Sequence, residues 1–338
     1  MSKALALKYR PQSFDDLTEQ KAVVQILTNQ IETKTIKHGY LFVGAAGTGK
    51  TTSARIFANM INEGKGTPIE LDAASNNSVD DIRELIEQAQ TKSFDSEYKI
   101  FIIDECHMIT PQGWNAFLKT LEEPPIKSIF IMCTTNPEKI PKTILSRVER
   151  QYFQKISQQG IVDRLKYILG TELNGTEYQW ETDAISYIAK IADGGMRDAI
   201  TLLDKCLAYS TDLTVENVVK ALGVADYDIM SDLTDAICEG DKERIIKIIS
   251  DLDSSGMDLR QFVKLYSEFV LDLNIYLITK NTSFIKVPEL WVTKFKNANI
   301  DKFNSLADCI MKLRNEIKYE HSPKSVILAT LLLYEVDK

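Results

Sequence analysis

Gly44-Ala45-Ala46-Gly47-Thr48-Gly49-Lys50-Thr51 decides how this chain is read. These residues satisfy G-x-x-x-x-G-K-[ST] at every fixed position. Tyr40-Leu41-Phe42-Val43 before them is an apolar run of strand length, and Thr52 to Met60 after them is rich in helix formers. The glycines therefore fall on a strand-to-helix turn, where a missing side chain lets the backbone approach a ligand closely. Successive N–H groups and a helix N-terminus facing one point make an anion site suited to phosphate. Lys50 brings a positive charge for β- and γ-phosphates, and Thr51 brings a hydroxyl for Mg²⁺.

Downstream, Tyr98 to Ile103 is a run apolar but for Lys99, ending in Asp104 and Glu105. Such a run fits a strand buried on both faces of a parallel sheet, whose C-terminal end is where ligands bind. Asp104 there is placed to hold Mg²⁺ through its water shell, and Glu105 to orient the water that attacks a γ-phosphate. Ile69-Glu70-Leu71 reads as another strand. Ser128 to Cys133 reads as a further one, ending in Thr134-Thr135-Asn136-Pro137. Those tip residues suit either a contact to the γ-phosphate or its water, or plain turn chemistry. Apolar periodicity predicts helices over Gln20–Ile31 and over Val79–Ile86, the latter with acidic residues in its first turn. Alternating strands and helices from 40 to 150 give an α/β class.

After about residue 155 the pattern is helical throughout. Predicted helices carry Ile161 to Leu169, Ala184 to Ala192, Met196 to Leu203 and Val215 to Leu222, the last closed by Gly223. Asp258 and Gln261 fit a capping box for a long apolar helix. Ser322-Pro323 starts a final helix, apolar nearly all round, that should be buried in its own domain or against a neighbouring subunit. The expected division is 1–154 for the nucleotide-binding α/β domain, 155–224 for a small all-helical domain and 225–338 for a second all-helical domain. There is no internal repeat.

Composition sets limits on the function. The chain has 338 residues, 44% hydrophobic and 26% charged, as ordinary globular proteins do. No run is long and apolar enough for a membrane span, and Met1-Ser2-Lys3-Ala4 does not begin a signal peptide. Its five cysteines are scattered without a C-x-x-C pair, which speaks for a reducing, cytoplasmic setting and against a zinc site. A net charge of −8 means that DNA binding would rest on a local basic face or on partner subunits. Lys92, Lys119 and Lys142 are either contributors to such a face or solvated surface lysines. Lys8-Tyr9-Arg10-Pro11 is either a loop packing on a base or a structural turn.

The motifs taken together resemble the clamp-loader branch of the AAA+ ATPases, and within it the gamma/tau family of bacterial DNA polymerase III. The resemblance rests on Lys8-Tyr9-Arg10-Pro11 with Phe14; the phosphate loop; Leu71-Asp72-Ala73-Ala74-Ser75; and Asp104-Glu105-Cys106-His107-Met108. It rests also on Asn115 through Pro125, Thr134-Thr135-Asn136-Pro137, Leu145-Ser146-Arg147 and Gly195-Met196-Arg197-Asp198-Ala199. It implies a P-loop AAA+ domain with a parallel sheet, a helical lid and a helical collar that joins subunits in a ring, a pentamer in that family's pattern. It implies that Thr135 is the first sensor of the γ-phosphate and that Arg197 is the second, reaching from the lid. Arg147 would be an arginine finger aimed at ATP in the adjacent subunit. Tyr9, Arg10 and Pro11 would lie near the adenine, with Gly44 to Thr52 around the phosphates. The implied partners are other clamp-loader subunits, a sliding clamp and primer-template DNA at the replisome; the implied cofactors are ATP and Mg²⁺.

This sequence departs from the family pattern in three places. Asn62 to Pro68 fills the position of the family's four-cysteine zinc module, so no zinc is expected. The finger motif reads Ser146-Arg147-Val148, with valine where the family has cysteine. The chain stops after its last helix, as the short form does, without the long form's polymerase- and helicase-binding tail. The rival functions are a non-hydrolysing stator subunit, a Holliday-junction motor and a helicase-loading switch. A complete phosphate loop argues against the stator.

Overall fold

The computed structural model describes residues 4–172, 179–223 and 227–334. They group into two compact units. One draws on 1–177 and Ile188–Asp204, the other on 178–187 and 205–338. The expected boundary at 224/225 falls outside the described residues.

In the first unit five strands form one parallel sheet: β1 (Gly39–Gly44), β2 (Ile69–Asp72), β3 (Lys99–Asp104), β4 (Ser128–Thr134) and β5 (Glu149–Phe153). Their spatial order is β2-β3-β4-β1-β5. The three central strands are those with unbroken apolar runs, because helices cover both of their faces. Alternation along each strand sorts the core into two layers. Tyr40, Phe42, Ile100, Ile102, Ile129 and Ile131 meet helices α1 (Lys21–Glu32) and α2 (Lys50–Ile61) through Val23, Leu27, Ala54 and Phe57. Leu41, Val43, Phe101, Ile103, Phe130 and Met132 meet α3 (Val79–Ala89) and α4 (Pro111–Glu122) through Ile82, Leu85, Trp114 and Phe117.

Local chemistry sets the helix starts. The Ser78 hydroxyl accepts from the Asp81 N–H at 3.2 Å, and the Asp81 carboxylate accepts from the Ser78 N–H at 2.9 Å, a reciprocal cap on α3. Thr110 caps α4, followed by Pro111 at the first helical position.

Two elements depart from the sequence reading. β5, Glu149-Arg150-Gln151-Tyr152-Phe153, was not expected as a strand, because it lies at the sheet edge and buries only Gln151 and Phe153. Glu105 does not end β3 but follows it, with φ at 46° in the left-handed region. That conformation costs a non-glycine residue about 1–3 kcal/mol.

The first unit continues with α5 (Gln158–Glu172). Helices α6 (Thr182–Ile191) and α7 (Met196–Tyr209) contribute to both units. The second unit is helical: α8 (Val215–Leu222), α9 (Tyr227–Glu239), α10 (Lys242–Ser254), α11 (Leu259–Thr279), α12 (Ile300–Glu316) and α13 (Pro323–Leu333), with short turns between. Its core holds Leu233, Ile249, Phe262, Tyr266, Phe269, Leu273, Phe303 and Ile310. Gly223 ends α8 at φ 61°, as its sequence position suggested. The last helix is not buried all round. Ile327 and Leu331 are buried, while Leu333 is 79% exposed.

Among the described residues no helix is long and apolar enough to cross a membrane.

Candidate nucleotide site

The phosphate loop leaves β1 at Gly44, packed too closely on β5 for any side chain: a Cβ there would lie 2.4 Å from the Phe153 carbonyl oxygen. Gly47 (φ 70°) and Gly49 (φ 101°) take left-handed torsions that turn the chain into α2. Lys50, at the first turn of that helix, is 6% exposed. Its ammonium donates to the Gly44 and Ala45 carbonyls at 2.9 and 2.8 Å. Burial is the largest influence on its pKa and lowers it, while the acidic groups nearby, Cys133, Glu105 and Asp104, act the other way. The Thr48 hydroxyl also donates to Ala45, at 2.8 Å.

Across from the loop, the Thr51 hydroxyl donates to the Asp104 carboxylate at 2.7 Å. Their β1–α2 and β3 origins bring a hydroxyl and a carboxylate together at the C-terminal edge of the sheet. Two hard oxygen donors suit Mg²⁺. The second Asp104 oxygen accepts from the Glu105 N–H at 3.0 Å. The Glu105 carboxylate accepts from the Thr135 hydroxyl at 3.2 Å and lies 3.2 Å from His107 Nδ1.

A cleft of about 260 Å³ gathers most of the residues singled out in the sequence. Tyr9, Arg10, Pro11, Ala46, Gly47, Thr48, Gly49, Lys50, Thr51, Thr52, Asp104, Glu105 and Arg197 all line it. Arg197 arrives on the first turn of α7, whose Met196 N–H donates to the Gly47 carbonyl at 2.9 Å. Gly44 and Ala45 lie behind the cleft rather than on its wall, and Thr135 reaches it only through Glu105. The residues present fit a nucleoside triphosphate with Mg²⁺: a phosphate-sized turn of N–H groups, a buried ammonium with one of its three donors unused, and the Thr51–Asp104 oxygen pair.

Arg147 stands apart from this group. It precedes β5, beside the start of β1, where a Cβ on Gly39 would lie 3.6 Å from the Arg147 carbonyl. The phosphate loop is at the other end of β1. The Arg147 guanidinium donates to the Thr143 carbonyl at 2.6 Å and pairs with Glu122.

Three residues at or beside the site carry no role that the sequence alone assigns. Arg164, on α5, lines the cleft and donates to the Tyr9 carbonyl at 3.2 Å. Glu172, at the end of the same helix, accepts from the Tyr9 hydroxyl and pairs with Lys8 at 2.6 Å. Its carboxyl is held below the usual range by the Lys8 bond and then by the Tyr9 bond, while burial first and Glu172 second push the Tyr9 phenol up to about 12. In the sequence both look like solvated helix residues. His107 appeared only as part of a motif.

Strand order β2-β3-β4-β1-β5, a phosphate loop after β1 and paired acids at the C-terminal end of β3 define a P-loop nucleotide-binding fold of the AAA+ class. A solved structure, the Thermotoga maritima RuvB Holliday junction branch migration motor, shares that fold with a TM-score of 0.51 over 67% of this chain and 79% of RuvB, at 19% identity. Three family models match successive parts of the sequence. They are described as DNA polymerase III, delta subunit, over residues 64–157; DNA polymerase III clamp loader subunit, ATPase lid domain, over 160–212; and DNA polymerase III subunits gamma and tau domain III, over 213–300. The chain is 32% identical to DNA polymerase III subunit gamma of Buchnera aphidicola subsp. Acyrthosiphon pisum, covering 97% of each. It is 33% identical to subunit tau of Bacillus subtilis over 95% of this chain, and spans 61% of that relative and 52% of the Mycoplasma genitalium gamma/tau subunit. The chain belongs to the gamma/tau subunit family of the DNA polymerase III clamp loader.

Proposed function

We propose that this protein is an ATP-hydrolysing subunit of a sliding-clamp loader, acting in the cytoplasm at the replisome with other loader subunits, a sliding clamp and primer-template DNA. The observation that carries the reading is the convergence of Lys50, Thr51, Asp104, Glu105 and Arg197 on one cleft, in a chain of the gamma/tau family.

ATP is the substrate. Lys50 and the loop N–H groups hold its phosphates, and Tyr9, Arg10 and Pro11 border its base. Thr51 and Asp104 hold Mg²⁺, which when bound neutralises charge developing on the phosphates. Glu105 orients the attacking water, and Thr135 and Arg197 sense the terminal phosphate. Arg147 lies too far from its own loop to serve it, which supports a role at the site of an adjacent subunit. Occupancy would then govern how neighbouring subunits sit, and loss of the terminal phosphate would release clamp and DNA. The division at 154/155 and 224/225 into nucleotide domain, lid and collar belongs to the same proposal, as does the absence of zinc. Contact with DNA should be mainly to phosphates, and hence sensitive to salt.

The test is ATP hydrolysis by the full chain with loader subunits, a sliding clamp and primed DNA, compared with Glu105→Gln. Turnover that collapses in the variant while ATP still binds supports the reading. Absence of hydrolysis in every mixture discards it.

A further inference from the structure

The geometry points to His107 as the positioning residue that aims the Glu105 carboxylate. This rests on the reading of Glu105 as the group that orients water. The left-handed backbone at Glu105 leads into a single helical turn, Cys106–Met108, which carries His107 back over the acid. The imidazole is nearly enclosed, its side chain 9% exposed. Its Nδ1 lies 3.2 Å from Glu105 Oε2 and 3.3 Å from the Thr134 hydroxyl.

Those neighbours fix the proton. A bare Nδ1 would set a lone pair against a carboxylate oxygen, which is repulsive; an Nδ1–H donates to it. The tautomer carrying hydrogen at Nδ1 is therefore the one that fits. The Thr134 hydroxyl sits beside the ring and itself accepts from the Asn136 N–H at 3.0 Å, so the tip of β4 braces the imidazole. Glu105 Oε2 accepts from Thr135 as well, at 3.2 Å. With Oε2 held by two donors, Oε1 is the oxygen left to accept from water. His107 acts through Glu105 and is not among the residues that line the cleft. It lowers the rotational freedom of an acid that must be correctly turned at the moment of attack.

Asparagine and glutamine separate this role from mere space-filling. The Asn amide nitrogen occupies nearly the place of Nδ1, whereas the Gln amide reaches toward the place of Nε2. Single-turnover hydrolysis of ATP is measured for the full chain with loader subunits, clamp and primed DNA, alongside ATP affinity from a fluorescent-nucleotide titration. His107→Ala and His107→Gln should each slow the chemical step by about ten- to a hundredfold with ATP affinity unchanged, since a small misplacement of a catalytic group costs on that order. His107→Asn should recover most of the rate. In the Glu105→Gln background, His107→Ala should cost nothing further, because the group it aims is already gone.

The inference is overturned if His107→Gln turns over like the parent, or if Asn and Gln lose rate equally. It is likewise overturned if the loss persists undiminished beside Glu105→Gln. A parent-like rate in Glu105→Gln alone overturns the reading of Glu105, and this inference falls with it. A normal rate in His107→Gln together with a dead Glu105→Gln removes only His107.

Discussion

Replacing Arg147 by alanine distinguishes an arginine that serves a neighbour from one that serves its own site. β1 runs from Gly39 to Gly44. At about 3.3 Å per residue its ends stand roughly 16 Å apart, well beyond one side chain's reach. Arg147 is beside the first end and the phosphate loop leaves the second. To reach an adjacent subunit the guanidinium must leave Glu122. The two side chains of that pair are 32% and 49% exposed, and an ion pair so open to water is worth about 0–1 kcal/mol. A trans-acting arginine in phosphoryl transfer is worth about 10³–10⁵ in rate, or about 4–7 kcal/mol of barrier. Release from Glu122 is thus a small cost against the gain. Arg147→Ala should cut hydrolysis by about 10³-fold or more while ATP affinity holds, and Glu122→Gln should change the rate by only a few-fold. The assay is single-turnover hydrolysis in the assembled complex, with ATP binding followed separately. Mixing Arg147→Ala and Lys50→Ala copies should restore part of the activity wherever an intact Lys50 meets an intact Arg147 across a junction. An Arg147→Ala protein that hydrolyses at the parental rate, or that loses ATP affinity as Lys50→Ala does, would refute the reasoning.

Other outcomes are expected from the same geometry. Lys50→Met should abolish ATP binding in a fluorescent-nucleotide titration while the fold survives by circular dichroism, since methionine fills the buried stem without the charge; retained binding would remove Lys50 from the site. Gly44→Ala should destabilise the chain by about 1–3 kcal/mol in urea, because its Cβ would meet backbone of β5 rather than a yielding side chain. Glu172 supplies a pH test. A carboxyl held below its ordinary value of 4.5 contributes stability above that pH and loses it as the pH falls through the lowered value. Glu172→Gln should therefore be less stable than the parent at neutral pH, by at most about 1 kcal/mol given the exposure of Lys8. The two urea midpoints should converge well below pH 4.5. A constant gap across pH would count against the Lys8–Glu172–Tyr9 cluster.

What could be read from the sequence followed from how much each segment needed its own residues to say. β3 and β4 are enclosed on both faces, so Ile100 to Ile103 and Ile129 to Cys133 had to be apolar and the strands stood out. The phosphate loop was legible because only glycine takes its torsions or its close approach to β5. β5 itself was missed, because an edge strand buries alternate residues and Glu149, Arg150 and Tyr152 look like loop. The last helix is apolar on more faces than its own chain covers: Ile327 and Leu331 are buried, while Leu333 is 79% exposed within the single chain, and composition alone does not separate burial in the domain from burial against a neighbour. Arg164 and Glu172 meet partners far along the chain, and the place of His107 over Glu105 is set by the left-handed backbone at Glu105 and by Thr134 at the tip of β4, none of which a local pattern carries. The grouping of Thr135 with Glu105 likewise comes only from neighbouring β3 and β4 in the sheet.

One contact gives the phosphate loop a mechanical consequence. Gly47 and Gly195 touch backbone to backbone, with a Cβ on Gly47 only 3.0 Å from the Gly195 Cα, and the Met196 amide is bonded to the Gly47 carbonyl. Such a seam has no rotamers in which displacement can be absorbed. Any change in the curvature of the turn must be passed to the Met196 helix whole, as a push rod passes travel. A methyl group at position 195 would lie 2.8 Å from the Asp198 carboxylate and 3.3 Å from the Ala46 carbonyl, crowding that linkage, and its mark should be an altered rate of nucleotide release more than a lost fold.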